Sequence, residues 1–343
     1  MIHTLPEFPP PVPVPTSLPE AADLHALVVL NRYSSNYPKA MKQYEQIQQL
    51  GYAGLQDYVE TLPAREDTIK AVGEKLTAKS PTYNAVIILT GDGGANTVAR
   101  ALYKTDDVRL EQTPIVFGTG GGACDGHHMT QGKNKDYIPN LPGQNVTTLF
   151  PLEIVIRNDD AATPVEIALF HTGIGQSSQI SYNVNSPAHR GSWLIGHPYL
   201  HQLQEGITGA RSFLKTRSFL VEQETTGHYT KTVEWTIVNG NRMGRRNIFP
   251  GDLSERGFDE AFVPTRKHLL KYAAKLMVGQ DDCFEHMTNS IHTVKSQSPK
   301  HVLRIHFDGE TADLSTRTDE VSNRVEVTAS TRPLYVASRL HKP

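Results

Sequence analysis

The sequence predicts an α/β plus β fold. An N-terminal doubly wound α/β domain is followed by a C-terminal, mostly antiparallel β-sandwich domain. Two observations predict it. From Leu24 to Phe117 short apolar runs alternate with helical stripes, the rhythm of a parallel sheet covered on both faces. After about Gln144 strand-like runs separated by polar turns dominate, with inward and outward residues alternating.

The elements follow in order. Residues 5–20 (LPEFPPPVPVPTSLPE) are proline-rich. Proline lacks the N–H and fixes φ, which excludes a helix or central strand. Residues 1–22 therefore read as an extended arm, a plain tail ahead of an SH3 or WW ligand. Ala26–Leu30 is a short buried strand, and Lys39–Leu50 a helix with Met41, Tyr44, Ile47 and Leu50 on one face. Asp57–Leu62 reads as a second strand. Pro63 then opens a helix to about Lys79, striped by Ile69, Val72 and Leu76. Asn84–Leu89 (NAVIIL) is continuous enough for a central parallel strand. A helix over Ala95–Tyr103 and a strand over Pro114–Phe117 complete the domain, assigned to 23–148. The loop NLPGQNVTT marks its end.

In the second domain, 149–330, the strand-like runs are LFPLEIVIR, EIALFHTGI, RSFLVEQET, KTVEWTIVNG, KHVLRIHFDGE and NRVEVTAS, with RPLYVAS in the tail beyond it. Helices are predicted at Tyr199–Leu214 and Lys267–Met277. No solenoid-period repeat is seen.

A chain of 343 residues can bury a core without disulfide staples. Its net charge of −2 gives no support to wholesale nucleic-acid binding. Cys124 and Cys283 form no CxxC pair and fit a reducing compartment. The longest aliphatic runs fall far short of the roughly 20 residues of a membrane span, and the N-terminus lacks signal-peptide regions. The expected localisation is cytoplasmic, with peripheral membrane contact open.

Three segments carry chemistry. Thr90-Gly91-Asp92-Gly93-Gly94-Ala95-Asn96 lies between a strand and a helix. Its glycines let backbone approach a ligand, the helix N-terminus favours phosphate, and Asp92 sits at a strand's carboxyl end. A glycine turn with an Asp cap is the plainer reading. Gly118-Thr119-Gly120-Gly121-Gly122 follows the next strand. With Ala123 it matches GxGxxA, but it follows the fourth strand and opens no striped helix, so a dinucleotide fingerprint is rejected. Asp308-Gly309-Glu310 ends a strand. Two carboxylates on a tight turn can activate a hydroxyl and bind magnesium, while Asp-Gly is also a common hairpin turn. His197 and His201 have metal-like spacing but Pro198 between them and no partner frame. His127-His128 reads as a solvent-exposed pair in a polar loop. Arg242, Arg245 and Arg246 read as a phosphate or anionic-lipid contact or, equally, a solvated turn.

Taken in order, these segments resemble the diacylglycerol kinase catalytic domain family, which includes sphingosine and ceramide kinases; NAD kinases share that fold more distantly. The likeness runs from about Leu24 to Val336. The family's NPxSG-like loop appears as Asn31-Arg32-Tyr33-Ser34-Ser35, its GGDGT box as Thr90–Gly94 with Asn96 beyond, and its GTGN box as Gly118–Gly121. A SIGFDA-like stretch appears as Gly173–Ser178, an NGRYYGGG-like hairpin as Asn239–Gly244, and DGE as Asp308–Glu310.

The resemblance implies ATP and Mg²⁺ as cofactors and a lipid or small-molecule hydroxyl as acceptor, a diacylglycerol or sphingoid-type lipid first. It implies that Asn31, Ser34, Thr61, Gly91, Asp92, Gly93, Gly94, Asn96, Gly118, Thr119 and Gly120 line the nucleotide site. Asp308 would be the base with Glu310 beside it, and the 331–343 tail would fold back on the first domain. The departures lie at Thr90, Gly94, Gly121-Gly122, Ser177 and the acidic loop. In that loop Glu255 remains as a metal ligand but Arg256 replaces a carboxylate. They keep open a second reading, a catalytically weak or inactive nucleotide- or lipid-binding relative, and a third, a kinase for a soluble acceptor. The oligomeric state is not fixed; a homodimer is compatible.

Overall fold

Two pentads set the centre of the first sheet. Ala26–Leu30 (β1) and Ala85–Leu89 (β3) are buried at every position and pair in parallel. β-Branched and aliphatic residues at consecutive positions suit a strand packed on both faces. In this computed structural model the described residues are 15–32, 34, 36–50, 58–60, 65–79, 82–103, 112–121, 124–132, 141–158, 161–162, 165–184, 198–215, 217–223, 227–240, 242–243, 246–247, 254–277, 284–297, 302–314 and 323–339.

β2 (Tyr58–Glu60) pairs with β1, and β4 (Ile115–Phe117) with β3, both in parallel. The sheet then takes its next strand from far along the chain. β21 (Leu334–Ser338) lies between β4 and β5 (Asn145–Leu149), parallel to the first and antiparallel to the second. β5 corrects the loop expected at NLPGQNVTT.

Alternate residues face opposite layers. Leu27, Val29, Val86 and Ile88 pack with α2 (Arg65–Thr77) and α3 (Asp92–Tyr103). Ala26, Val28, Leu30, Ile87 and Leu89 pack with α1 (Tyr37–Gln49). Each fully buried aliphatic contributes about 1.5–3 kcal/mol. α1 opens with proline in its first turn, where the missing N–H leaves no bond unmade. The proline-rich arm is masked over 1–14 and lies there outside the described residues. Its end is not a free tail: Ser17 bridges Asn145, and Leu18 and Leu24 are buried in the α1-side core.

The polar stretch after β4, expected to be a loop, forms α4 (Asp125–Gln131). The remaining strands form antiparallel sheets. One sheet contains β6 (Leu152–Asn158), β7 (Ala161–Ala162), β8 (Glu166–Ala168), β10 (Phe219–Gln223), β11 (Tyr229–Thr232), β17 (Asn289–Ser296) and β20 (Asn323–Ala329). The other contains β9 (His171–Gly175), β12 (Glu234–Val238), β15 (Phe258–Val263), β16 (Glu285–Met287), β18 (Arg304–Phe307) and β19 (Glu310–Asp313). They share one core, to which Ile154, Phe219, Val294 and Val327 contribute from the first and Ile174, Trp235, Phe258 and Ile305 from the second.

A short hairpin, β13 (Arg242–Met243) with β14 (Arg246–Asn247), stands apart. Three further helices lie among the described residues: α5 (Gln176–Val184), α6 (Pro198–Lys215) and α7 (Arg266–Met277). The strands β15 to β17 had no counterpart among the predicted runs. No helix among the described residues is long and apolar enough to cross a membrane.

Candidate active site

The loops after β1, β3 and β4 meet at the carboxyl ends of the parallel strands, where such sheets bind ligands. The two glycine runs lie backbone against backbone. A Cβ on Gly91 would sit 3.0 Å from Gly121 Cα, and one on Gly120 would sit 2.5 Å from Leu89 O. Only glycine allows this approach. It also explains Gly121 where the resembled box carries asparagine. Ser34 Oγ donates to the Gly120 carbonyl, and Ser34 N donates to Asn31 O at 3.1 Å. Gln43 of α1 clamps Thr119 twice, with Nε2 to Oγ1 at 2.5 Å and Oε1 accepting from Thr119 N at 3.2 Å. Asn31, Ser34, Gly91–Gly94 and Gly118–Gly120 are thus brought together. Thr61 lies outside the described residues.

Asp92 is the first residue of α3 and is partly exposed. Gly126 N donates to its Oδ1 at 3.3 Å. Burial of its carboxyl, then the negative charge of Asp125, push its pKa up to about 8, and the charge of Asp308 adds to this. Across from it, Asp308 and Gly309 take left-handed backbone (φ 49° and 99°) in the β18–β19 hairpin. A tight hairpin turn requires this conformation, so the plain reading of Asp-Gly as a turn holds. The hairpin reaches the first helix turn: a Cβ on Gly93 would meet Asp308 O and Glu310 Oε1, each at 3.3 Å.

The Asp308 carboxylate is fully used. Leu169 N donates to Oδ2 at 2.5 Å, and Phe170 N and His171 N donate to Oδ1 at 2.8 and 2.9 Å. Asn96 Nδ2 donates to Oδ2 at 2.8 Å. A carboxylate offers about four acceptor positions, so Asp308 retains none for an acceptor's proton. These bonds clasp the turn to α3 and to the backbone of residues 169–171. Asn96 lies at the same junction. It is fully buried, its amide nitrogen also reaches Ile167 O at 2.7 Å, and its oxygen accepts from Arg65 at 2.6 Å. It ties α3 to the hairpin. Glu310 is half-buried and keeps its carboxylate free of hydrogen bonds among the described residues.

Behind this clasp lies a cluster that the sequence reading missed. Arg100 pairs with Glu166, and Arg65 stands 3.5 Å from the same carboxylate. Burial lowers both guanidinium pKa values, Arg100 to about 10. Glu166 pairs both guanidinium groups, and the charges of Glu310 and Glu66 also act on them. His171 and His306 lie 5.0 Å apart by ring centroid, and burial holds His306 well below its ordinary pKa. His127, expected to be exposed, is buried and bonds Phe117 O at 3.1 Å.

No family model matches the chain, and no curated protein matches it in sequence. Its structure is similar to that of a diacylglycerol kinase from Bacillus anthracis str. Sterne. The TM-score is 0.58 and the identity 11%, over 92% of this chain and 97% of that one. A second structure from that organism, provisionally assigned as a diacylglycerol kinase, gives a TM-score of 0.58 and 12% identity over 92% and 95%. The chain has the diacylglycerol kinase fold.

Two departures within this fold are compensated in space. A Cβ on Gly94 would lie 2.6 Å from Thr90 Oγ1 and 2.7 Å from Thr90 Cβ. Thr90 therefore fills the volume that a threonine at 94 would take, and the exchange of glycine and threonine along the diacylglycerol kinase box keeps a hydroxyl in that place. Where the resembled stretch has aspartate, Ser177 donates through both N (3.0 Å) and Oγ to Glu234 of β12. A carboxylate is supplied from a neighbouring strand. Of the acidic loop, residues 250–253 lie outside the described residues. Glu255 is exposed, and Arg256 turns to Ala329 O, at 3.2 Å from Nε. Among the described residues no group of three His, Cys, Asp or Glu side chains stands ready for a metal.

Proposed function

We propose that the protein is an ATP-dependent phosphotransferase acting on a hydroxyl of a diacylglycerol or sphingoid-type lipid. One observation carries this reading: the Asp92-Gly93 helix start lies against the Asp308-Gly309-Glu310 turn. A phosphate-favouring helix end, a carboxylate and a second, unoccupied carboxylate then share one cleft. Phosphoryl transfer asks for positioning, charge neutralisation and a proton acceptor.

The α3 N-terminus and the Gly118–Gly121 turn would hold the phosphates of ATP through backbone N–H groups. Asp92 fits Mg²⁺, which commonly takes one or two carboxylates and completes its shell with phosphate and water. Its pKa is raised first by burial and then by the charges of Asp125 and Asp308, and a bound cation would offset both. Bound there, Mg²⁺ would neutralise phosphate charge. Glu310 would take the proton from the acceptor hydroxyl. Asp308, Asn96 and Arg65 act as positioning residues that fix the hairpin against α3. The reading also carries a division into units of residues 23–148 and 149–330, with the cleft between them.

Purified protein would be incubated with labelled ATP, Mg²⁺ and micellar diacylglycerol or sphingoid bases. The reading requires labelled lipid, lost in Asp92→Asn and in Glu310→Gln. The exposed Glu255 beside Arg256 favours the second reading, a nucleotide- or lipid-binding relative without turnover. ATP binding with no labelled acceptor under any condition would establish that one instead.

A further inference from the structure

The strand that ends in Asp308 carries a buried histidine with nothing to bond. His306 of β18 is 1% exposed, and neither of its ring nitrogens has a hydrogen-bond partner. Its nearest ring is His171 of β9, 5.0 Å away by centroid, whose Nδ1 is also buried without a partner. His306 stands opposite Gly173 in the β9–β18 pairing, and its Nε2 would lie 3.4 Å from a Cβ at 173. The ring thus occupies the space a side chain there would need. Thr236 faces Gly173 from β12, and its Oγ1 is likewise buried and unpartnered. Helix α5 covers this face, packing on β9, β12, β18 and β19. A polar ring buried without a partner is costly, and a charged one far more so. Burial first, then the charge of His171, accordingly hold the His306 pKa well below 6.5.

The same two strands hold the turn. His171 N donates to Asp308 Oδ1 at 2.9 Å, Asp308 N donates to His171 O at 3.0 Å, and Thr172 Oγ1 donates to His306 O at 2.6 Å. We propose that the neutral His171–His306 pair positions the hairpin that carries Glu310, and that a proton placed on the pair in acid releases that hairpin. The inference rests on the lipid kinase reading only for what the positioned hairpin does. No counter-charge stands ready for the proton among the described residues. Glu310 pairs in register with Phe307, so it leaves β19 on the face opposite to His306. Asp313 of β19 is held by Arg304 at 2.8 Å, and Arg304 lies over Tyr182 of α5 at 3.8 Å. Glu166 of β8 pairs with Arg100, Glu234 of β12 takes Ser177, and Asp308 takes its four donors. The charge that acts on His306 is that of His171; Asp92, which fits Mg²⁺, does not act on it. A protonated ring would meet a second ring and no acceptor, and parting β9 from β18 relieves this. Parting them also breaks the bonds between residues 171 and 308. Once the hairpin is open, His306 regains an ordinary pKa of 6.5, so the closed form is favoured fully above that pH and loses ground below it.

The test is hydrogen exchange of the full chain between about pH 7.5 and 5, read on peptides of the hairpin and of β9 and divided by the intrinsic exchange rate. One proton taken up on opening raises the opening constant about tenfold per pH unit below 6.5. Wild type is expected to show that slope. His306→Phe, which keeps a ring but no proton site, is expected to remove it. The readout is local because Glu234, whose pKa is raised, works in the opposite sense on the whole chain. Ring signals of labelled histidine in wild type give a second reading that needs no variant: His306 is expected to stay neutral wherever the hairpin amides stay protected. The proposal is overturned if wild-type protection does not vary with pH, or if His306→Phe keeps the slope. It is equally overturned if the His306 ring titrates near 6.5 while those amides remain protected. None of these readings needs turnover, so their failure is distinct from failure of the lipid kinase reading, which is an absence of labelled lipid at neutral pH.

Discussion

Four donors converge on the Asp308 carboxylate, and Asp308→Asn would turn an amide NH₂ against at least one of them. Hydrogen bonds to a charged group contribute about 1.5–3 kcal/mol each, and unpaired buried donors add their desolvation cost. Asp308→Asn should lower unfolding free energy by about 3 kcal/mol or more in denaturant titration. Glu310→Gln, with no bond to break, should change stability by under about 0.5 kcal/mol. It should nevertheless lower kcat by about 10²–10⁴-fold. Equal stability losses in the two variants would contradict the division of roles. At Thr90 the expectation is reciprocal. Gly94→Thr should destabilise because its Cβ collides with Thr90, and adding Thr90→Gly should recover most of the loss, a coupling that a double-mutant cycle reads directly. The chemistry-bearing residues were legible because glycines and carboxylates cluster in short segments. Asn96, Arg65 and Glu166 were not legible in those roles, because their partners lie 31 to 212 positions away in the chain.

Among the elements, α5 starts on a buried acid. Burial raises the Glu234 pKa from 4.5 to about 7, against hydrogen bonds from Ser177 that lower it. The folded state therefore binds a proton more tightly than the unfolded one. This contribution to stability is full below about pH 4.5 and is lost as pH rises through about 7. Glu234→Gln should flatten that fall in a plot of stability against pH, by on the order of 3 kcal/mol. Ser177→Ala, which removes a stabilising donor, should carry the fall to higher pH. β17 shows why some elements stayed hidden. Its inward positions are Ser290, His292 and Val294, and the first two face Glu260 at 2.5 and 3.2 Å, which Trp235 Nε1 also reaches. An inward face made of serine and histidine has no hydrophobic alternation to read. β1 and β3, apolar at every position, could be read at once.

For the whole molecule, the exchange of strands between distant parts of the chain decides cohesion. β21 contributes a central strand to the parallel sheet, so removing residues 331–343 would expose facing edges of β4 and β5 and empty the places of Leu334 and Val336. That truncation should yield insoluble protein or lose the cooperative melt, seen by solubility and calorimetry. The place of β21 has a further consequence during synthesis. The first 117 residues carry four of the six strands of their sheet, yet the sheet cannot close until residue 338 has left the ribosome. At roughly 5–20 residues per second, that interval lasts on the order of ten seconds or more. Until then β4 keeps an open edge, and a nascent chain in that state is the form that chaperones would meet.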